Sequence, residues 1–442
     1  VPNNVWSAAG AGNWSVNGNW SLGVAPVLAD DVIFNNTSVQ NCTIDVSPTV
    51  NSITFAATYS GNWTAAGQTL TCTLGFSHDG TGTSNFGNGI TCNGLASTFH
   101  VGAGVGNVTA MNCVLTMNGT TGMTLDNDKG IALATTFKSL TLGAAAVVTV
   151  SGGSDTYFSG TTTPLIIGNN ATLTINRMIG IVLKAAAAFN SIGTGVTING
   201  LADLNFYVWV SAVTLTFPSL TTTGSVDVNI YDAAADTGWT VQFTGGINIG
   251  NRKLTCSLIN GNSTGTFNFN GQNVVCGTFE LGISNITNSL TLNYSSGTFT
   301  CAAYNGSFYN AAGTCNENFQ TSQWTCSGNW TFGSNHTVNA GTSIVTITGT
   351  STITSNGKSF FDLTVNSGLF TVTMADALQC NTGGDLTITS GDMQSSGFAI
   401  TVGGNTAVNG VSVLRVLGAT CSFAGNYTTA AGCTVTINAA TN

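Results

Sequence analysis

Apolar residues along this chain alternate with Thr, Ser, Asn and Gly over short stretches, and helical periodicity is almost absent. Residues 52–55, 139–142, 147–150, 171–175, 343–347 and 385–388 are rich in Val, Ile, Leu, Thr and Phe, the composition that suits a half-buried pleated surface. Asn118-Gly119, Asn199-Gly200, Asn270-Gly271, Asn305-Gly306 and Asn356-Gly357 punctuate them as turns. The pattern predicts an all-β protein; the one helical candidate is the alanine-rich stretch 184–189.

The cysteines sharpen this reading. Ten of the twelve have an apolar residue two positions upstream. Positions i and i+2 of a strand share a face, so Cys72, Cys92, Cys113, Cys256, Cys276, Cys301 and Cys326 are expected to point inward with Leu70, Ile90, Met111, Leu254, Val274, Phe299 and Trp324. Several recur at spacings near twenty, and an inward position that repeats in this way is what stacked coils produce. The phrases Phe137-Lys-Ser-Leu-Thr-Leu142 and Phe361-Asp-Leu-Thr-Val365 repeat a second motif. The prediction is a parallel β-helix, or β-solenoid, whose period of ~21 residues gives roughly 20 coils. The expected organisation is a segment that enters and caps the stack (1–50), a solenoid (51–175), an irregular β region or insertion (176–250) and a second solenoid (251–442). Stacked cysteines lie within disulfide range, so Cys72–Cys92 and Cys256–Cys276 are candidate pairs.

Charge changes the picture by what it excludes. Only 6% of residues are charged, the net charge is −9, and the eight basic residues are scattered. No basic stripe is available to neutralise phosphates, so a nucleic-acid partner is not expected. No apolar run reaches the ~18 residues that a membrane helix needs. A chain that starts at Val1 and is rich in cysteine is expected to be a secreted product, extracellular or at the cell surface, with its signal peptide removed.

The N-terminal order Gly12-Asn-Trp14, Gly18-Asn-Trp20, Pro26, Asp30-Asp31-Val-Ile-Phe34 and Thr43-Ile-Asp45 resembles the start of bacterial extracellular parallel β-helix surface proteins with adhesin- or autotransporter-like repeats. Trp324-Thr-Cys-Ser-Gly-Asn-Trp330 and Gly383-Gly-Asp-Leu-Thr-Ile-Thr-Ser-Gly391 are similar to their repeats. The resemblance implies a β-helix, an exported location and a structural, adhesive or transport role.

Candidate chemistry is sparse. His78, His100 and His336 lack metal-ligand spacing and no Cys-x-x-Cys occurs, so neither a metal nor a cofactor is expected. Asp126-Asn-Asp128-Lys-Gly130 matches part of a calcium loop and reads better as a polar turn. Asp30/Asp31, Asp126/Asp128 and Asp232/Asp236 are the acid pairs, of which Asp126/Asp128 has a separation suited to glycoside cleavage. His78 beside Asp79 is a partial match to a Ser-His-Asp arrangement and reads better as a solvated loop. None has the converging acid, base and orienting groups of an active site, so a catalytic role is not expected.

The expected function is an extracellular structural protein that assembles head-to-tail with copies of itself into a filament, sheath or surface layer. Its assembly end would be the strand carrying Cys433, Val435 and Ile437. The alternative is a glycan-binding adhesin or phage-type fibre that contacts surface glycans through Trp63 and Trp330; a polysaccharide-degrading β-helix enzyme comes third.

Overall fold

The computed structural model describes residues 1–65, 67–105, 108–110, 114–129, 137–159, 164–183, 192–193, 195–209, 212, 214–232, 237–285, 287–310, 313–418 and 420–438. They form a parallel β-solenoid, 54% strand, of about 16 turns. The coils are fewer than the sequence period predicts because most are longer. Leu70 lies on Ile90, 20 positions on, but Leu115 lies on Leu140 and Leu140 on Leu165, 25 positions apart. Phe299 likewise lies 25 positions before its partner Trp324.

The chain forms two compact units, 1–207 with 221–226, and 208–220 with 227–442. In the first, three strands per coil build three faces. One face stacks residues 69–72, Gly89–Cys92, Val114–Met117, Ser139–Leu142 and Leu165–Ile167. The next stacks residues 75–78, Thr98–Val101, Met123–Asn127, Val147–Ser151 and Thr172–Ile175. The third stacks Gly12–Asn13, Cys42–Thr43, Trp63–Thr64 and Ser84–Asn85. Strict alternation decides what fills the interior: Thr69–His78 buries every second residue except where it bends at Leu74. Ile53, Phe76, Phe99 and Leu125 thus form one inward column.

Outward positions stack just as regularly. Thr71, Thr91, Thr116 and Thr141 form one ladder. This explains the scarcity of charge: in-register stacking places each side chain beside its counterpart one coil away, where like charges would repel. Neutral β-branched Thr and amide ladders avoid that repulsion. Asn318 Nδ2 donates to Asn293 Oδ1 at 2.9 Å in the second unit.

The first coil is closed by an aromatic plug. Trp6, Trp14 and Trp20 are buried and pack edge-to-face, with ring centroids 5.1 Å (Trp6–Trp20) and 4.8 Å (Trp14–Trp20) apart. The edge of Asn3–Val5 is covered as well. Val5 N–H donates to Ser21 Oγ and Ser21 N–H to Val5 O, both at 2.9 Å.

In the second unit one face stacks Thr214–Phe217, Thr237–Phe243, Thr264–Asn268, Ser289–Asn293, Thr314–Asn318 and His336–Asn339. A second carries the inward column Cys276, Cys301, Cys326, Ile347, Val365, Ile388 and Val408. The described strands of segment 176–250 are coil rungs, with Ile179–Leu183 paired to Thr156–Phe158 in the first unit and Val228–Asp232 to Lys253–Leu258 in the second. The alanine-rich stretch 184–189 lies outside the described residues.

Candidate functional site

The outer surface of the first unit carries a cluster of ionisable groups centred on His100. Thr54, Ser77, His100, Asp126 and Ser151 form an outward column across adjacent coils. Register places His100 directly against Asp126, and its Nδ1 lies 2.9 Å from Asp126 Oδ2. Asp79, one residue past Thr69–His78, turns outward and puts Oδ1 3.2 Å from His100 Nε2. The imidazole is therefore held between carboxylates of the preceding and following coils. Partial burial lowers its pKa, but the hydrogen bonds and charges of the two acids outweigh this and raise it above the ordinary histidine value. The charged form fits best, because both ring nitrogens then donate.

Beside this triad runs a groove of about 380 Å³, lined by Ser52, Thr54, Leu74, Ser77, Thr98 and, at its acidic end, His100 with Asp126. Hydroxyls and one exposed leucine give it hydrogen-bonding capacity and a small apolar contact. Asp126 and Asp128 share the outer face, with Asn127 turned inward to Asp155 O at 3.0 Å. Asp128 is tied down by the Gly153 N–H, which donates to its Oδ1 at 2.6 Å. Gly130 of the calcium-like loop lies outside the described residues.

The other sequence candidates separate. His78 points inward and Asp79 outward, so they form no dyad. His78 takes the place of phenylalanine in the column Phe34, Phe55, His78, fully buried against Ser84. Burial, helped by the charges of His100 and Lys129, pushes its pKa down to about 3. Asp30 accepts from Val27 N–H and Asn4 Nδ2, whereas Asp31 accepts from Asn51 and Ser52 on the next coil. Asp232 is buried and binds the turn at Asn260 and Ser263; Asp236 lies outside the described residues.

Trp63 and Trp330 are not surface platforms. They are 1% and 0% exposed. Trp63 stacks on Phe55 at 4.6 Å and Trp330 on Tyr304 at 4.2 Å. Each Gly-Asn-Trp phrase puts its indole on an inward position, so neither ring offers a face to a glycan.

The structure places the named cysteines in the interior: Cys72, Cys92, Cys256, Cys276, Cys301 and Cys326 are at most 4% exposed. Cys113 lies outside the described residues. The eleven described cysteines carry free thiols. Cys72 and Cys92 are register partners, but burial drives both thiols well up, that of Cys92 to about 12. Neither is a ready thiolate. Cys256 and Cys276 are not partners at all. Cys256 stacks between Ile230 and Leu281, while Cys276 stacks on Cys301 and Cys301 on Cys326. Coils of 25 residues put an i+20 neighbour on a different face.

A second cluster, invisible to local spacing, lies inside the second unit. Cys315 and Glu317 share the inward face of Thr314–Asn318, and His336 is the register partner of Cys315 on the following coil. Glu317 is completely buried. It accepts the Tyr294 hydroxyl at 2.7 Å and the Tyr304 hydroxyl, and faces His336 Nδ1 at 2.6 Å. The available signal was Cys315-x-Glu317 standing where Leu290-x-Leu292 stands 25 residues earlier.

No protein family, curated protein or solved structure matches this chain.

Proposed function

We propose that the chain is an extracellular structural β-solenoid that assembles with copies of itself through its terminal coils. One observation carries this reading. In the last described coil Thr434–Asn438 lies in register on Val413–Leu417, placing Val435 over Leu414 and Ile437 over Val416. Leu414 and Val416 are 0% exposed, whereas Ile437 is 49% exposed and Val435 and Cys433 are only half-buried. Ile437, with Val435 and Cys433 beside it, forms an apolar surface that a further coil can cover. The proposed occupant is the first coil of a second copy. That coil shows an apolar loop, with Leu22, Val24, Val27 and Leu28 each roughly half exposed. Because Ser21 covers the edge of Asn3–Val5, the contact is one of apolar side chains, not a continued hydrogen-bonded ladder. The neutral outer surface supports the reading, since little charge opposes association. The exported location rests on the cysteine content and on the N-terminal resemblance.

Sedimentation velocity over a range of concentrations tests the proposal. Wild-type protein is expected to form species that grow with concentration, and the double variant Val435→Lys, Ile437→Lys to stay monomeric. A wild-type monomer at every concentration, or a dimer that grows no further, rejects the filament.

The groove beside His100 supports a second reading, a glycan-binding fibre. Hydroxyl ladders with one carboxylate and one apolar contact suit a neutral sugar chain. Binding on a glycan array that Leu74→Asp and Ser77→Asp abolish would favour this reading; retention in both variants would remove it. Catalysis is not part of the proposal, because Asp79 and Asp126 are both engaged by one imidazole.

A further inference from the structure

We propose that Cys315, Glu317 and His336 form a buried site for a thiophilic divalent cation of the Zn²⁺ type. A ligand atom from each, namely the Cys315 sulfur, a Glu317 carboxylate oxygen and a His336 ring nitrogen, lies within 4.8 Å of the other two. Thiolate, imidazole and carboxylate are the donor set zinc favours, and the soft sulfur argues against Mg²⁺ or Ca²⁺.

The fold does not require polar groups at these positions. The coil before carries Leu290 under Cys315 and Leu292 under Glu317, and the coil after carries Val338 over Glu317. A carboxylate with no exposure costs several kcal/mol unless it is compensated. The surroundings are also cleared for the imidazole. A Cβ on Gly333 would come within 2.3 Å of the His336 ring, and one on Gly306 within 3.0 Å.

The charges balance. Burial and the Glu317 charge push the pKa of the Cys315 thiol up. A divalent cation that displaces the Sγ proton to solvent is matched in charge by one thiolate and one carboxylate, with the imidazole as a neutral third donor. Two ligands on a tetrahedral ion at ~2.0–2.1 Å stand about 3.3 Å apart. The 2.6 Å contact between His336 Nδ1 and Glu317 Oε1 therefore opens by roughly 0.7 Å. The second carboxylate oxygen keeps its tyrosine hydroxyls and so stays oriented. With three protein donors, the fourth position falls to a water or hydroxyl oxygen. Because the cluster is sealed, the ion enters as the coils close.

The full chain refolded with Zn²⁺ or Co²⁺, then passed through a chelating column, tests this. About one ion per chain is expected to remain, falling to less than about a tenth in Cys315→Ser and staying at about one in Cys301→Ser. The Co²⁺ form is expected to show sulfur-to-metal charge-transfer absorption. Wild-type protein that retains no ion overturns the site, as does a Co²⁺ form without the sulfur band. Equal retention in Cys315→Ser also overturns it. The wild-type spectrum decides even if Cys315→Ser fails to fold.

Discussion

His78 and His100 lie on adjacent coils, one turned inward and the other outward, and respond to pH in opposite directions. His78 occupies a phenylalanine position and stays neutral: the Gly80 N–H points at its Nδ1 and the Trp63 indole N–H at its Nε2, both at 3.2 Å, so a second ring proton would face a donor. Its pKa is lower folded than unfolded, so the stability it contributes is present above pH ~6.5 and is lost as pH falls towards 3. The loss runs at about 1.4 kcal/mol per pH unit. His100 is the reverse case. Its pKa is raised by Asp79 and Asp126, so its contribution is present below the unfolded value and fades as pH rises through the folded one. Denaturant midpoints of wild type, His78→Gln and His100→Gln from about pH 4 to pH 9 check this. His78→Gln should lose the acid-side slope, and His100→Gln should lose most stability at the acid end of the range. Parallel curves for all three proteins would contradict the assignment.

At the scale of the coil, corners decide whether rungs can stack. Residues 93–95 pass over residues 73–74, and a Cβ on Gly94 would lie 1.3 Å from Thr73 O. The backbone cannot yield that far without separating two coils. Gly104 sits at another corner with nothing within 4 Å of its Cβ position. Gly94→Ala is therefore expected to cost more than about 3 kcal/mol, and Gly104→Ala to be neutral within about 0.5 kcal/mol. Thermal unfolding of both variants checks the contrast, and equal effects would show that coil spacing at residue 94 is looser than described. This scale is also where reading from sequence was partly blind. The inward direction of a cysteine follows from a two-residue period, which any strand obeys. The partner of a cysteine follows from coil length, which changes from 20 to 25 residues along the chain. The proposed Cys256–Cys276 pair fails for that reason, while Cys276, Cys301 and Cys326 fall into one column.

For the molecule as a whole, each coil is held by the coils before and after it, so damage should stay local. Trp63 packs on Phe55 and against Phe76, His78 and Phe86. Trp63→Ala is expected to cost about 3–5 kcal/mol through the cavity it leaves. Amide exchange should quicken in Thr49–Phe55, Thr69–His78 and Thr98–Val101. Thr298–Asn310 and Gln323–Cys326, in the other unit, should keep their wild-type rates. Uniform acceleration would mean that the coils unfold as one cooperative body. Lost glycan binding is not the expected phenotype, because the ring is buried.

The alternation of apolar and neutral polar residues was enough to specify a stacked β architecture, its inward columns and its lack of charge. Those follow from strand period and from the repulsion of stacked like charges, both local rules that repeat at every rung. Which residues meet across coils was decided only by the tertiary structure. His100 reaches Asp79 and Asp126 from 21 and 26 positions away, and Glu317 reaches Tyr294, Tyr304 and His336 from 23, 13 and 19. Such contacts depend on the summed length of three strands and three corners. A single residue gained or lost at any corner moves every partner, so no motif of fixed spacing could have announced them.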